Sequence, residues 1–280
     1  TYSFESPKVF DKLLLDEEDK LRQAVTIMNP LGEDYSIMRT TPLNGMLTSL
    51  STNYNRRNKN VRLYEMANIY LPKDLPLTEL PDERIQFVLG MYGEGDFFTL
   101  KGVVEEFFEK AGMPKRVHYN PECGYPFLHP GRKAELKYDG VYIGYMGQIH
   151  PEVADNYGIG EETYVAVIDM PTVLNYATFD RKYTGIAKYP AVTRDISMVM
   201  KKEILAGQVE EIIENKGGKL LESYHLFDLY EGAQIMTGYK SMAYSITFRA
   251  ADHTLEEKEI TAVMDKILAA LTELGIELRK

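Results

Sequence analysis

The feature of this sequence that most restricts its fold is the order in which its patterns change after residue 190. A strand pattern at 195–200 gives way to a helical one at 206–215, which Gly217-Gly218 closes. Strands then read at 220–228 and 240–248, a second helix at 255–274 and a short last strand at 276–278. Strand–helix–strand–strand–helix–strand is a split βαβ arrangement. Alternation along each strand sends about half of its side chains into a core.

The preceding part follows a different plan. Residues 1–10 read as a short entry strand, and 21–28 as a strand closed by the turn Asn29-Pro30-Leu31-Gly32. A helix begins at Pro42, with Leu43, Leu47, Leu50 and Tyr54 on one buried face. It runs into the basic stretch Arg56-Arg57-Asn58-Lys59, whose charges suit a helix C-terminus. Strands are predicted at 61–70 and 85–92, then a helix at 99–111 with Val103, Val104, Phe107 and Phe108 turned inward and Gly112 as its cap. Two further strands, 134–138 and 142–149, join through Asp139-Gly140. A strand at 164–170 leads into a short helix ending near 176. This is antiparallel sheet with helices, an α+β layout. The polar stretch 179–188 marks a boundary, giving domains 1–185 and 186–280.

Composition agrees with two domains, since 280 residues at 44% hydrophobic can bury two cores. No apolar run approaches the ~20 residues of a membrane span. The single cysteine, Cys123, excludes an internal disulfide framework and a thiolate zinc site, and fits a reducing, cytoplasmic setting. The Thr1 start suggests a piece cut from a longer protein, with a processed N-terminus as the alternative. A net charge of −10 opposes nucleic acid overall, so any such contact must be local or assisted by other chains.

Catalytic signatures are missing from the residues. Gly90-Met91-Tyr92-Gly93-Glu94-Gly95 has the wrong spacing for a dinucleotide fingerprint or a P-loop. The five histidines are scattered, and His129-Pro130-Gly131 and His150-Pro151 read as turns rather than metal ligands. No serine sits in a nucleophile elbow.

Three ordered blocks in the second domain carry a resemblance. Tyr189-Pro190-Ala191-Val192-Thr193-Arg194-Asp195, then Phe227-Asp228-Leu229-Tyr230-Glu231-Gly232, then 240–248 with His253-Thr254-Leu255 and Glu259 resemble the ferredoxin-fold anticodon-binding domain of phenylalanyl-tRNA synthetases. In the first domain, Asn29-Pro30-Leu31-Gly32-Glu33, Met38-Arg39-Thr40, Arg62-Leu63-Tyr64-Glu65, 129–134 and 144–151 resemble the catalytic-like domain of the bacterial β subunit. That domain is a class II synthetase fold without its chemistry. The family's β subunit is much longer, with editing, oligonucleotide-fold and magnesium-binding domains upstream.

The resemblance implies a non-catalytic partner of the α subunit in an α2β2 assembly that contacts the anticodon end of tRNA(Phe). No cofactor is expected in this chain, ATP and Mg belonging to the holoenzyme. An active class II site needs arginines against the ATP phosphates. Here Leu71-Pro72 follows the stretch Glu65–Tyr70 where one belongs, and 164–174 lacks both glycine and arginine and carries Asp169 instead. Candidates for the subunit interface are Leu43, Leu47, Arg56 and Arg57, with an ordinary core helix as the other reading. Candidates for tRNA contact are Tyr189, Arg194, Tyr224, Tyr230 and Arg249, because single-stranded bases are held by aromatic and guanidinium planes. Phe227 and Tyr244 read as core, while Asp228 and Gly232 shape a turn. The alternatives are a metabolite-sensing regulatory protein with a ferredoxin-like domain, and an active class II ligase.

Overall fold

The computed structural model describes every residue except Pro114, Thr184, Ala233 and Lys280. The chain divides into two compact units, Thr1–Arg181 and Lys182–Lys280.

Unit 1 opens with β1 (Phe4–Glu5), α1 (Val9–Lys12), β2 (Ile37–Met38) and α2 (Leu43–Asn55). It continues through β3 (Val61–Leu71), β4 (Asp82–Tyr92), α3 (Phe97–Lys110), β5 (His118–Asn120), β6 (Leu128–Tyr138) and β7 (Val141–Ile149). It closes with α4 (Pro151–Asn156), β8 (Thr163–Asp169) and α5 (Met170–Leu174). Across the described residues the main sheet has six antiparallel strands in the order β3-β4-β8-β7-β6-β5.

Both faces of that sheet are covered, which is why β8 is buried along its whole length. One face packs under α2, with Leu43, Leu47, Leu50, Val88, Tyr145 and Val167 in one cluster. The other packs under α3, with Leu100, Val104, Phe108, Leu136 and Ile168 in another. Asp96 starts α3 with a capping box: its Oδ1 accepts from the Thr99 backbone N–H at 2.8 Å, and the Thr99 hydroxyl accepts from the Asp96 N–H at 3.2 Å. Such a cap contributes about 1 kcal/mol. Only part of the predicted inward set of α3 holds, because Val103 is exposed and Phe107 half-buried.

Several local expectations fail for identifiable reasons. The strand predicted at 21–28 is a 3-10 turn at Lys20–Arg22 followed by a single bridge, Thr26 to Ile37. The Asp19 carboxylate caps that turn through the Leu21 N–H at 2.8 Å. The predicted entry strand shortens to β1 because α1 follows at once. His129-Pro130-Gly131, predicted as a turn, lies inside β6, where the register shifts between Leu128 and Lys133. His150 is the N-cap of α4, its Nδ1 accepting from the Glu152 N–H at 3.3 Å. By contrast, the hairpin at Asp139-Gly140 forms with φ of 52° and 79°, the pair that a type I′ turn requires.

Unit 2 follows the predicted order: β9 (Val192–Lys201), α6 (Ala206–Gly217), β10 (Leu221–Tyr230), β11 (Tyr239–Phe248), α7 (Glu257–Glu273) and β12 (Glu277–Leu278). Its sheet order is β10-β11-β9-β12, with antiparallel pairing throughout. Met198, Met200, Tyr244, Ile246 and Phe248 pack against Val209, Ile213, Ile267 and Leu271 of the two helices. The fold is α+β in both units.

Candidate functional site

In unit 1 the β3–β4 hairpin and the β8–α5 junction meet through the register pair Gln86 and Asp169. There Arg84, on the return strand opposite Ile69, reaches Asp169 with two parallel bonds. Its Nε donates to Oδ1 at 3.0 Å and its Nη2 to Oδ2 at 2.7 Å. Asp169 is 5% exposed and also caps α5, accepting from the Thr172 N–H at 3.1 Å and from the Thr172 hydroxyl. Burial pushes this carboxyl up, but Arg84 and Thr172 outweigh it and hold it below its ordinary value. Arg84 is in turn raised, chiefly by its bond to Asp169.

Sequence reading missed Arg84, since it looked for arginine just after Tyr70 and not twelve residues beyond Pro72. The guanidinium is nevertheless committed to a carboxylate of the same chain. Reassigning it to a phosphate would strand Asp169, a buried charge.

Two hollows in unit 1 complete the test of a nucleotide fit. The larger, about 670 Å³, lies at the end of α2 and is lined by Arg57, Lys59, Glu94 and Glu161 with Asn55, Asn58 and Asn60. One guanidinium reaches it, facing two carboxylates. The smaller, about 300 Å³, is lined by Asp19 and several aromatics, with no Lys, Arg or His among the described lining residues. Neither brings two arginines together, so neither fits the phosphates of ATP.

The subunit-interface candidates separate. Leu43 and Leu47 are fully buried inside their own unit, which corrects their placement on an interface: they are core residues. Arg56 and Arg57 are exposed. Arg57 takes a left-handed φ of 63° as the chain leaves α2, a position more often held by glycine.

In unit 2 the five tRNA candidates fall into three places. Arg194 pairs across β11 with Ile246, on the helix-covered face, and its Nη2 donates to Glu257 Oε2 at 2.6 Å. Tyr224 is on the same face, its hydroxyl donating to Glu214. Tyr189 and Arg249 meet at one end, where Arg249 donates to the Tyr189 carbonyl and, through Nε, to Glu222 Oε2 at 2.9 Å. Tyr230 alone pairs with Ser241 on the other face.

Among the described residues no helix packs on that other face, although Ser241 and Ala243 are buried on it. Its centre is Ser197, Ser241, Ala243, Ser245 and Thr247, small side chains that alternate with the core residues of β9 and β11. Asp195, His225 and Asp228 share the face by register. At one side the Arg279 guanidinium lies over the Tyr230 ring, 5.7 Å from its centroid, and the Arg279 N–H donates to the Ser197 carbonyl at 2.8 Å. Arg279 escaped the sequence reading because nothing in its local pattern tied it to Tyr230. Gly232 is explained by the same ring: a Cβ there would overlap the Tyr230 hydroxyl. Tyr244 is core, as expected, with its hydroxyl donating to Glu210 Oε1 at 3.1 Å, whereas Phe227, expected in the core, is exposed at the β10 irregularity.

Comparison with known proteins matches the sequence of each unit to a family of domains. A profile described as the phenylalanyl tRNA synthetase beta chain CLM domain matches residues 1–170, and one described as the ferredoxin-fold anticodon binding domain matches 187–279. The phenylalanine–tRNA ligase beta subunit of Clostridium tetani is 46% identical over 280 residues, covering 100% of this chain and 35% of the relative. That of Clostridium acetobutylicum is 43% identical over 279 residues, covering 99% and 35%. That of Symbiobacterium thermophilum is 34% identical over 291 residues, covering 100% and 32%. The chain thus spans about a third of the length of these curated relatives.

Proposed function

Because the chain belongs to the phenylalanyl-tRNA synthetase β-chain family, we propose that it is a non-catalytic brace and tRNA-contacting part of that ligase. Within the α2β2 enzyme the α subunit holds ATP and Mg and performs adenylation. Unit 1 docks on the α subunit, and unit 2 meets the anticodon region of tRNA(Phe). As domains we take 1–185 and 186–280.

The observation that carries the tRNA reading is the helix-free face of the unit 2 sheet. Ser197, Ser245 and Thr247 are only half-buried and Asp195 and His225 are exposed, so that part of the face is open to a base, and the Tyr230–Arg279 pair offers a ring and a guanidinium plane on the same face. Of the residues singled out from sequence, Tyr230 is therefore the strongest. Tyr189 and Arg249 lie at the rim of the unit, while Arg194 and Tyr224 act by fixing helices through Glu257 and Glu214. The acidic net charge is met by keeping the contact local.

The test uses the assembled enzyme. Tyr230→Ala is expected to raise KM for tRNA(Phe) by about tenfold, the worth of one stacked base, and to leave ATP–pyrophosphate exchange unchanged. Charging unaffected by the substitution would remove this face from the account. For docking, Arg56→Glu with Arg57→Glu is expected to weaken co-purification of the α subunit, and full retention would move the interface elsewhere.

A further inference from the structure

The 300 Å³ hollow of unit 1 opens on the α2 side of the sheet and has a chemistry of its own. Tyr125, Phe127 and Tyr145 form a cluster of rings with centroids 4.4 to 5.5 Å apart, and Tyr142 joins it through a 3.4 Å contact between its hydroxyl and that of Tyr125. Burial raises the phenol pKa of Tyr125, Tyr142 and Tyr145, so all three are neutral at physiological pH.

Against these ring faces stands one charge. Asp19 uses Oδ1 to cap the turn at Lys20–Arg22, and among the described residues no side chain or backbone N–H bonds its Oδ2. Gln86, half-buried on β4, points no side-chain hydrogen bond at any described residue. A carboxylate oxygen and an amide are thus left over beside electron-rich rings, with no cationic side chain lining the space. An anion finds no donor charge here, and a purely apolar guest would leave Asp19 and Gln86 desolvated. A positively charged nitrogen satisfies both the carboxylate and the ring quadrupoles. The volume is at the lower end for small-molecule sites, enough for one ring or its aliphatic equivalent.

We infer that this cavity is a binding site for a small organic ammonium ion, held between Asp19 and the Tyr125–Tyr142–Tyr145 aromatic wall. The site is separate from the tRNA face and from any nucleotide chemistry, so it stands whether or not those readings hold.

The experiment is calorimetric titration of the complete protein with four probes of one shape: benzyltrimethylammonium, benzylamine, benzyl alcohol and benzoate. Two variants locate the site. Asp19→Asn keeps the turn cap but removes the charge, and Gly124→Leu adds bulk at a residue that lines the hollow and has room for a Cβ, nothing lying within 4 Å of it. Saturable binding of the two cations is expected, weakened about tenfold by Asp19→Asn and lost in Gly124→Leu, with the alcohol and benzoate at least tenfold weaker. The inference is overturned if no cation saturates in the millimolar range. It is equally overturned if benzoate binds as well as benzylamine, or if neither substitution changes the cation affinity.

Discussion

Glu5 gives unit 1 a pH dependence that can be worked out from its surroundings. It sits on β1 at 4% exposure; its Oε2 accepts from Asn44 Nδ2 at 3.0 Å, and its Oε1 is buried without a partner. Burial pushes the carboxyl from 4.5 up to about 7, against the opposing pull of Asn44 and Arg39. That gap corresponds to about 3 kcal/mol. The folded state holds the proton more tightly than the unfolded state, so the stabilisation is whole below pH 4.5 and is lost as pH rises through about 7. Glu5→Gln removes the titration while keeping an acceptor for Asn44. Near pH 5 the variant should match the parent within about 1 kcal/mol, the worth of one hydrogen bond. By pH 8 the difference should have moved about 2–3 kcal/mol in favour of the variant. Urea denaturation of both proteins at pH 5, 6, 7 and 8, followed by circular dichroism, reads this directly, and taking the difference cancels every other titrating group. A difference that stays constant across that range would refute the assignment of a buried neutral carboxyl.

Other parts of the fold carry their own tests. Arg84→Met strands Asp169 in the sheet and should cost about 2 kcal/mol in urea denaturation; the value is discounted from a fully buried pair because Arg84 is about one-third exposed. His253 contacts Asp252 at 2.7 Å and Glu259 at 3.0 Å, which raise its pKa, so the imidazolium supports the start of α7 at low pH and that support fades as pH rises through the raised value. An NMR titration should place that imidazole above 6.5, and His253→Ala should abolish the fading. Gly144, at φ 152° in β7, has the Val167 carbonyl where a Cβ would go, so Gly144→Ala should cost at least about 3 kcal/mol or prevent folding, as seen in expression and melting.

How far the sequence alone reached depends on whether a feature was local. The βαββαβ order was legible because each element carries its own periodicity, and the Asp139-Gly140 turn because its residues dictate its dihedrals. The strand expected at 21–28 failed because Asp19 caps a turn there, a side-chain bond that periodicity does not encode. Pro130 and Gly131 misled because an irregular strand tolerates both. The buried face of α2 was read correctly, yet the same leucines were offered to a partner. Only packing, with Leu43 and Leu47 against the sheet, decides between those roles. Arg84–Asp169 and Tyr230–Arg279 join residues 85 and 49 positions apart, and a single sequence gives no sign of either.

At the centre stands one claim about charge: among the described residues, the strand–helix junction of the unit 1 sheet holds one guanidinium, that of Arg84, and Asp169 already neutralises it. The most direct measurement is ATP–pyrophosphate exchange with phenylalanine, run on the purified β chain without α subunit and again after α subunit is added. The account predicts background exchange from the β chain alone and full exchange in the mixture. Exchange by the β chain alone, abolished by Arg84→Ala, would contradict it.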